Sequence, residues 1–416
     1  MAATARSGIL TLVAWVAAAA PLGAQSEGDD EYTRYELLAP ETASFRILYD
    51  VTATTPGAKF FFNPIRKGSV ARDESVADRA TGRPLEFEVV SGAAAKEAGE
   101  TDADPETSYI QIRLPGPVPE KGEVRLLIDK TYEDRKSYFR EKDLIVFDRP
   151  LGIRNNSVVL PPGYELVSLN VPSQILSEPD GRIAISFMNT YPGPAALVLK
   201  ARALGGAAAG RGAPASPGPP PAAGAGPPLG DLPVPERAQE ETEIVYFLKP
   251  PDTHSFRLYH DYTETRPGTD RYLNVVRAGS GVSAPAAWVL DSGESLETEV
   301  LRGEQIRRAG LEVEPIKPET EVVVVRFPAV QKGRTLRLRI EETYTDPGRY
   351  GLVGEELVWH RSFGRPENEV VLPEGWYLTV SSIPATVTTM EDGRVRLRFM
   401  NARPDAIDVF VKARRR

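Results

Sequence analysis

The chain contains no cysteine, and this absence excludes several kinds of site. Disulfides, thiolate metal centres and cysteine nucleophiles all require the missing side chain. A lipid anchor attached to an N-terminal cysteine is excluded for the same reason. Where an export signal is present, a chain of 416 residues without cysteine is more typical of the bacterial periplasm or exterior than of eukaryotic secretion.

Histidine is also scarce, since the chain has only His254, His260 and His360. None of them begins an HExxH zinc motif, and along one strand His254 and His260 would lie roughly 20 Å apart, too far to share a metal ion. Nucleophile-elbow, phosphate-loop and dinucleotide-binding glycine motifs are missing as well. We therefore predict a protein that is not an enzyme, with no catalytic, metal or cofactor residues. A glycosidase-type carboxylate pair is the one arrangement that the 58 acidic residues leave open.

Long hydrophobic runs are absent except near the N-terminus, where Ile9–Ala20 follows Arg6 and precedes Pro21–Ala24. The run is shorter than the roughly 20 residues that span a bilayer, so it predicts a signal peptide over residues 1–24. A membrane anchor is the alternative interpretation. Without Arg6 the mature net charge is 49 − 58 = −9, which disfavours nucleic-acid binding. We expect export to the periplasm or exterior and no transmembrane anchor.

What the sequence does contain is an internal duplication. The stretch Thr42–Gly57, TASFRILYDVTATTPG, recurs at Thr253–Gly268 as THSFRLYHDYTETRPG. Residues 35–90 match residues 246–301 at 21 of 56 positions, and residues 149–202 match 361–414 at 20 of 54. Unrelated sequences of ordinary composition match at roughly 6% of positions. The chain therefore holds two copies of one domain.

Each copy reads as a series of short strands. In the first repeat, Phe45, Ile47, Tyr49 and Val51 alternate with polar residues, which predicts a strand with one face toward the core. Helical periodicity is confined to Leu301–Leu311, and the acidic residues 91–107 are predicted to form a loop. The fold class is all-β, with two tandem, homologous β-sandwich domains.

A Gly/Ala/Pro-rich segment separates the copies and cannot bury a core, so residues 203–238 are predicted to be a disordered linker. The predicted domains are residues 31–202, copy one, and 239–416, copy two. Each is long enough to bury a core of its own.

Polar residues shared by the two copies are the candidates for binding. Arg46 and Asp50 lie on one face of a strand, and Arg257 and Asp261 repeat them. The alternative is a network of ion pairs and cross-strand pairs that stabilises one fold. The other shared polar pairs are Thr52/Thr263, Asn63/Asn274, Arg66/Arg277, Ser69/Ser280, Glu86/Glu297, Thr131/Thr343, Tyr132/Tyr344, Arg149/Arg361, Asn156/Asn368 and Asn189/Asn401.

Two aromatic residues at equivalent positions, Tyr164 and Trp376, follow a Pro-x-Gly loop in their copies. They are candidates for stacking against a sugar or a peptide. The alternative is that they fill the core, which is the commoner role of such aromatics.

One local pattern resembles a known family. The first copy has a strand, Leu114-Pro115, Lys121-Gly122, and then a strand ending in Thr131-Tyr132, and the second copy restates it with Phe327-Pro328, Lys332-Gly333 and Thr343-Tyr344. Over about 25 residues per copy this resembles the N-terminal β-domain of leukotriene-hydrolase-like zinc aminopeptidases, and more distantly the ribophorin ectodomain. The resemblance implies a β-sandwich without the peptidases' catalytic domain. Taken whole, the chain resembles secreted tandem β-domain proteins of bacteria.

These observations predict an exported, non-catalytic binding protein with two similar β-domains that acts on an envelope or extracellular protein partner. A carbohydrate-binding or carbohydrate-cleaving module is one alternative, so a glycan remains a possible ligand. Accessory domains of an exported peptidase system are the other alternative.

Overall fold

A computed structural model describes residues 32–190, 193–204, 234–239, 243–311, 313 and 315–416. The predicted signal peptide and most of the predicted linker lie outside these residues. The described chain is all-β, as the sequence predicts, and two short helices are its only α-helices.

The first half contains fourteen strands and one helix, α1 (Gly92–Glu97), among its described residues. The strands are β1 (Tyr32–Leu37), β2 (Ser44–Ala53), β3 (Phe60–Ile65), β4 (Val70–Asp78), β5 (Phe87–Ser91), β6 (Ser108–Arg113), β7 (Val124–Glu133), β8 (Tyr138–Glu141), β9 (Leu144–Leu151), β10 (Asn155–Val159), β11 (Tyr164–Leu169), β12 (Gln174–Ser177), β13 (Ile183–Met188) and β14 (Ala195–Ala203).

The second half repeats this arrangement with fourteen described strands and helix α2 (Glu304–Arg308). The strands are β15 (Glu243–Leu248), β16 (Ser255–Glu264), β17 (Arg271–Val275), β18 (Gly281–Val289), β19 (Ser295–Arg302), β20 (Glu321–Arg326), β21 (Leu336–Thr345), β22 (Tyr350–Val353), β23 (Glu356–Phe363), β24 (Glu367–Val371), β25 (Trp376–Ser381), β26 (Thr386–Thr389), β27 (Val395–Met400) and β28 (Ile407–Arg415).

The order of strands in the sheets is the same in both halves. In the first half a large sheet runs β12-β13-β10-β1-β2-β7-β4, a small sheet runs β11-β14-β9-β8, and β3-β6-β5 form a third sheet. In the second half the equivalent strands follow the same order, but β18 pairs with β19, so that the large and third sheets join into one of ten strands. The sheets separate into residues 32–203 and 243–415, which fits the predicted tandem arrangement.

The core of each half lies between the large sheet and the smaller ones. Alternate residues of β2 face inward as expected: Phe45 packs edge-on against Phe147 of the small sheet, with ring centroids 5.3 Å apart, and Val51 packs on the third sheet. In the second half, Phe256 makes the equivalent edge contact with Trp359 at 6.0 Å. Burial of these apolar faces is the main stabilising term of the fold.

The predicted loop 91–107 contains a correction, since Gly92–Glu97 forms helix α1. The hydroxyl of Ser91 caps this helix by accepting a hydrogen bond from the amide of Ala94, and Ala95 is fully buried. Small residues predicted as a loop therefore form one turn and a half of helix because the cap and the buried alanine hold it. The short helix predicted within Leu301–Leu311 is confirmed as α2.

The two halves contact each other through charged residues at the ends of their large sheets. Arg125 donates to both carboxylate oxygens of Asp291 at 2.8 and 2.9 Å, and Arg337 lies 3.1 Å from Glu123. The amide of Glu123 also donates to the carbonyl oxygen of Leu290 at 2.8 Å. The halves are therefore docked by ion pairs and a backbone contact.

The last residues of the predicted linker also lie against the folded halves. Arg237 is buried, and its guanidinium donates to the carbonyl oxygen of Gly364 at 3.0 Å, while its amide donates to Gln174 at 3.2 Å. This short segment thus bridges a strand of the first half and a loop of the second. None of the helices among the described residues has the length and apolar character needed to cross a membrane.

Candidate ligand-binding cavities

The strand-face candidates of the first half lie on the outer surface of the large sheet. Arg46 forms a two-pronged ion pair with Asp129, at 2.9 and 2.6 Å, on the neighbouring strand β7. Asp50 pairs with Arg79 at 3.0 Å. The two residues are paired with different neighbours, so they do not form one site with each other, and a binding role for them remains a prediction.

Their counterparts in the second half are placed differently. Arg257 pairs with Glu341 at 2.6 Å on the exposed face, whereas Asp261 is 1% exposed and accepts two hydrogen bonds from Arg339, at 2.7 and 2.8 Å. Arg337 of the contact between the halves lies 3.8 Å from the same carboxylate. Asp261 thus lies beside the buried Arg337 and the half-buried Arg339 and balances their charge.

The two aromatic candidates also differ in burial. Tyr164 is half-buried and packs against the core of the first half, and Trp376 is 9% exposed within the core of the second. Trp376 forms one wall of an open cleft of about 830 Å³. The other residues around this cleft are Leu248, Pro250, Pro251, Asp252, Leu352, Pro373, Glu374, Asp392, Arg394 and Arg415.

A different set of shared polar residues does come together, in a cavity of about 270 Å³ in the first half. It opens where β2 and β7 of the large sheet meet the third sheet and the end of β9. Its polar lining is Thr33, Tyr35, Tyr49, Asn63, Arg66, Lys130, Tyr132 and Arg149.

The second half has a cavity of about 210 Å³ at the equivalent place. Its lining repeats four polar residues of the first cavity without change, namely Asn274, Arg277, Tyr344 and Arg361. The other six lining positions differ: Ile244 replaces Thr33, Leu258 replaces Ile47, His260 replaces Tyr49, Val275 replaces Pro64, Glu342 replaces Lys130 and Arg365 replaces Ile153. The duplication has thus kept the cavity and changed part of its charge.

Cations dominate the first cavity. Arg149 is buried at its base, 3.1 Å from Asp134, with its guanidinium over the rings of Phe45 and Tyr132 at 5.3 and 5.7 Å. The Lys130 ammonium lies 4.9 Å from the ring centroid of Tyr132 and donates to Asn63. Burial and the Arg149 guanidinium lower the pKa of Lys130 to about 7.

At the mouth of the first cavity lies Arg66, whose side chain is exposed and forms no ion pair with any described residue. Burial, followed by repulsion from Arg149, lowers the pKa of Arg66. The buried Thr33 hydroxyl oxygen, in a residue 1% exposed, has no hydrogen-bond partner among the described residues. A buried polar atom without a partner is unusual and costs free energy.

The second cavity supplies its own acidic group. The Glu342 carboxylate accepts hydrogen bonds of 2.9 and 2.8 Å from the side-chain amide of Asn274, which also donates to the Tyr344 hydroxyl at 3.0 Å. Burial raises the pKa of Glu342. Burial and the guanidinium of Arg365, 2.6 Å away, lower the pKa of His260 well below 6.5.

The sequence alone lists most of these residues as shared polar pairs but does not place them together. Asn63 and Arg66, Tyr132, and Arg149 lie on three separate segments of the chain. Strand alternation assigns Tyr132 to the core. The available signal was their recurrence at equivalent positions. Lys130 and Glu342 were missed because their charges are opposite, and a search for identical residues passes over such a pair.

Within the residues that the structure describes, no three histidine, cysteine, aspartate or glutamate side chains cluster closely enough to hold a metal ion. The polar lining of both cavities consists mainly of arginine, asparagine and tyrosine. Such groups are suited to binding through hydrogen bonds and charge.

No protein-family model matches the chain, and no curated protein matches it. Solved structures that match part of it include an M1 zinc metallopeptidase from Deinococcus radiodurans, with 11% identity, a TM-score of 0.28 and coverage of 41% of each chain. An aminopeptidase N family protein from Idiomarina loihiensis matches with 11% identity and a TM-score of 0.25, over 41% of this chain and 29% of that one. The chain thus covers less than half the length of either peptidase. Neither TM-score reaches 0.5, so no site or activity is transferred from them.

Proposed function

We propose that this is an exported, non-catalytic binding protein that engages a protein partner of the cell envelope or exterior through both halves. The observation that carries the proposal is the recurrence of one polar cavity at equivalent positions of the two halves. The cavity floors are rigid, because they are built on paired strands of the large sheets. Pre-organised polar groups in a concave site favour binding because little order has to be gained.

Two similar sites on one chain bind a partner more tightly than either alone. After the first site is occupied, the second meets its ligand at an effective concentration of about the millimolar range. The halves are docked on each other, which favours a partner that presents one element to each cavity. The proposal therefore expects bivalent binding.

The test is an affinity capture from an envelope extract with the tagged mature protein, followed by titration of the captured partner. Arg66→Ser and Arg277→Ser remove equivalent arginines at the two cavities, and Lys59→Glu is a control at an exposed lysine outside them. We expect each arginine variant to weaken binding about tenfold or more and the double variant to weaken it further. Wild-type affinity in the double variant, or turnover of a substrate by the purified protein, would overturn the proposal.

A carbohydrate ligand is the second candidate, and the cleft beside Trp376 is the observation that favours it. An aromatic wall next to carboxylates and arginines is suited to sugar hydroxyls. Asp252 and Glu374 are exposed at this cleft. If the cleft binds a glycan, the wild type is retained on a cell-wall glycan array. The double variant Asp252→Ala/Glu374→Ala is then released. No retention of the wild type would remove this candidate.

A further inference from the structure

The two cavities are equivalent in register, which makes them an internal comparison. Lys130 of β7 pairs with Ile47 of β2, and Glu342 of β21 pairs with Leu258 of β16. Since Ile47 and Leu258 occupy equivalent positions of the repeat, Lys130 and Glu342 occupy the same place in the two halves. A carboxylate therefore lies in the second cavity at the point where the first cavity has an ammonium group.

In the second cavity this carboxylate is well held. Burial raises the pKa of this carboxyl group, while Asn274, which donates to both of its oxygens, and the positive charges of Arg365 and Arg361 oppose that rise. The duplicated asparagine, tyrosine and arginine thus form a receptor for a carboxylate that the chain itself supplies. Charge-assisted hydrogen bonds of this kind are stronger than those between neutral groups.

The first cavity has the same receptor residues but no carboxylate of its own at the position of Glu342. Asn63, Tyr132 and Arg149 are still present, Lys130 adds a further cation, and Arg66 lies at the mouth. Of the acidic groups near these cations, Asp134 already accepts hydrogen bonds from Ser137 at 2.7 Å, Ser69 at 3.2 Å and Arg149 at 3.1 Å. Glu74 acts on Lys130 and Asp148 on Arg66, but neither carboxylate lines the cavity. The cavity therefore holds more positive than negative charge.

A second observation also points to a ligand from outside the chain. The buried Thr33 hydroxyl lines the first cavity without a hydrogen-bond partner in the described part of the chain, and the equivalent residue of the second cavity is the apolar Ile244. A hydroxyl has thus been placed in the cavity that lacks an acceptor of its own. Burial and Arg149 lower the pKa of Lys130 to about 7, and a bound anion would favour its charged form.

We propose that the first cavity binds a carboxylate from outside the chain, between Lys130, Arg66 and Arg149, with the Thr33 hydroxyl as a further donor. The carboxylate takes the place that Glu342 takes in the second half. This inference rests on the proposed function in naming the source, which is the C-terminal carboxylate or an acidic side chain of the protein partner. A free small carboxylic acid offers the same chemistry.

In the experiment, three probes are titrated into the full-length protein, whose lysines carry 13C at Cε. The probes are acetate, the peptide Ac-Gly-Ala-Ala with a free C-terminal carboxylate, and the same peptide with an amidated C-terminus. Binding is followed by the Lys130 resonance and by calorimetry. We expect saturable binding of the free-acid peptide and at least tenfold weaker binding of the amide. Acetate that binds as tightly as the peptide acid also supports the site, and then a free acid is the source.

The decisive variant is Lys130→Glu, which gives the first cavity the carboxylate of the second. It should fold, because the equivalent site tolerates glutamate, and it should weaken binding of the peptide acid at least tenfold, whereas Lys59→Glu leaves it within twofold. Thr33→Val, which keeps the volume, is a second variant and should weaken binding about fivefold. Unchanged affinity in both cavity variants, or no response of the wild type to any carboxylate probe, would overturn the inference.

The outcomes separate this inference from the proposed function. If the wild type captures a partner and Lys130→Glu captures it equally well, the carboxylate site is wrong while the binding function stands. If the peptide acid binds but no protein is captured, the site stands and the protein-partner function is wrong.

Discussion

At the scale of single residues, a buried arginine lies at the base of the cavity in each half. Arg149 and its counterpart Arg361 each lie beneath a cavity, over aromatic rings, with an aspartate nearby. A buried guanidinium is stable only when an acidic partner and hydrogen bonds compensate for its lost hydration. The ion pair of Arg149 with Asp134 is therefore structural, and the guanidinium also hydrogen-bonds Ser137 and Tyr35 where it lines the cavity.

We expect Asp134→Ala to lower the free energy of unfolding by about 3 kcal/mol or more, because it leaves a buried cation uncompensated. Asp129→Ala breaks the exposed pair with Arg46 and should cost under about 1 kcal/mol. Chemical denaturation at pH 7 measures both variants. Similar losses for the two would contradict a structural role for Asp134.

The loss of stability in Asp134→Ala should depend on pH. Although burial opposes the effect, hydrogen bonds from Ser137 and Lys136, with the charge of Arg149, hold the pKa of Asp134 below 3.8. A lowered pKa stabilises the fold above the unfolded-state value and ceases to do so as the pH falls through the folded-state value. The difference between wild type and Asp134→Ala should therefore shrink below about pH 4.

At the scale of elements, the repeat is preserved strand by strand. Each of the fourteen described strands of the first half has a counterpart in the second, and both last hairpins turn at Asp-Gly, where Gly181 and Gly393 have φ of 82° and 79°. These left-handed conformations suit glycine. The main difference is at β4 and β5, where only one bridge, Ala77 to Pro84, replaces the pairing of β18 with β19. The core positions differ little between the halves, whereas the connection between the large sheet and the third sheet differs clearly.

Helix α1 offers a test at this scale, because Gly92 begins it in close contact with the following loop. A Cβ at Gly92 would overlap the carbonyl group of Asp104 and lie 2.9 Å from Cα of Pro105. We expect Gly92→Ala to destabilise the protein by about 1–3 kcal/mol through forced backbone movement. Gly281→Ala is the control, since nothing lies within 4 Å of its added Cβ. Equal thermal stability of the two variants would show that the loop yields without strain.

At the scale of the whole molecule, equivalent positions of the two halves meet each other. Asn155 and Glu367 are equivalent in the repeat and are joined by a hydrogen bond of 2.9 Å. Arg125 and Arg337 are also equivalent; Arg125 reaches Thr335 at 3.2 Å, and Arg337 reaches Glu123, the counterpart of Thr335, at 3.1 Å. Such reciprocal contacts are the mark of a two-fold interface. The halves are docked as the subunits of a symmetric dimer would be, with different residues on the two sides.

Gly122 tests this docking, because it lies where the halves touch. A Cβ there would overlap the carbonyl oxygen of Leu290 and lie 3.1 Å from the amide nitrogen of Gly293. We expect Gly122→Ala to displace that contact and to speed hydrogen exchange at the Glu123 amide, which donates to the same oxygen, by about tenfold or more. Gly116→Ala, with nothing within 4 Å of the added Cβ, is the control. Unchanged exchange in Gly122→Ala would show that the contact is not needed for protection.

The amino-acid sequence by itself determined the all-β class, the duplication and the inward faces of the strands. These properties depend on local alternation and on comparison of the chain with itself, so Phe45, Ile47 and Val51 could be assigned without coordinates. The six binding candidates were chosen from strand faces and loops in the same way. For Arg46 and Asp261 the structure shows ion pairs whose partners are distant in sequence, which local pattern does not reveal.

Only the tertiary structure decided which polar residues share a cavity and how the halves meet. Asn63, Lys130 and Arg149 are brought together by pairing between strands far apart in the chain, and a one-residue change of register would separate them. The contact of Glu123 with Arg337 depends on the docking of two sheets, for which the sequence carries no periodic signal. One cavity position carries lysine in the first half and glutamate in the second. Only the strand register shows that these two residues occupy the same place and that the charge there is reversed.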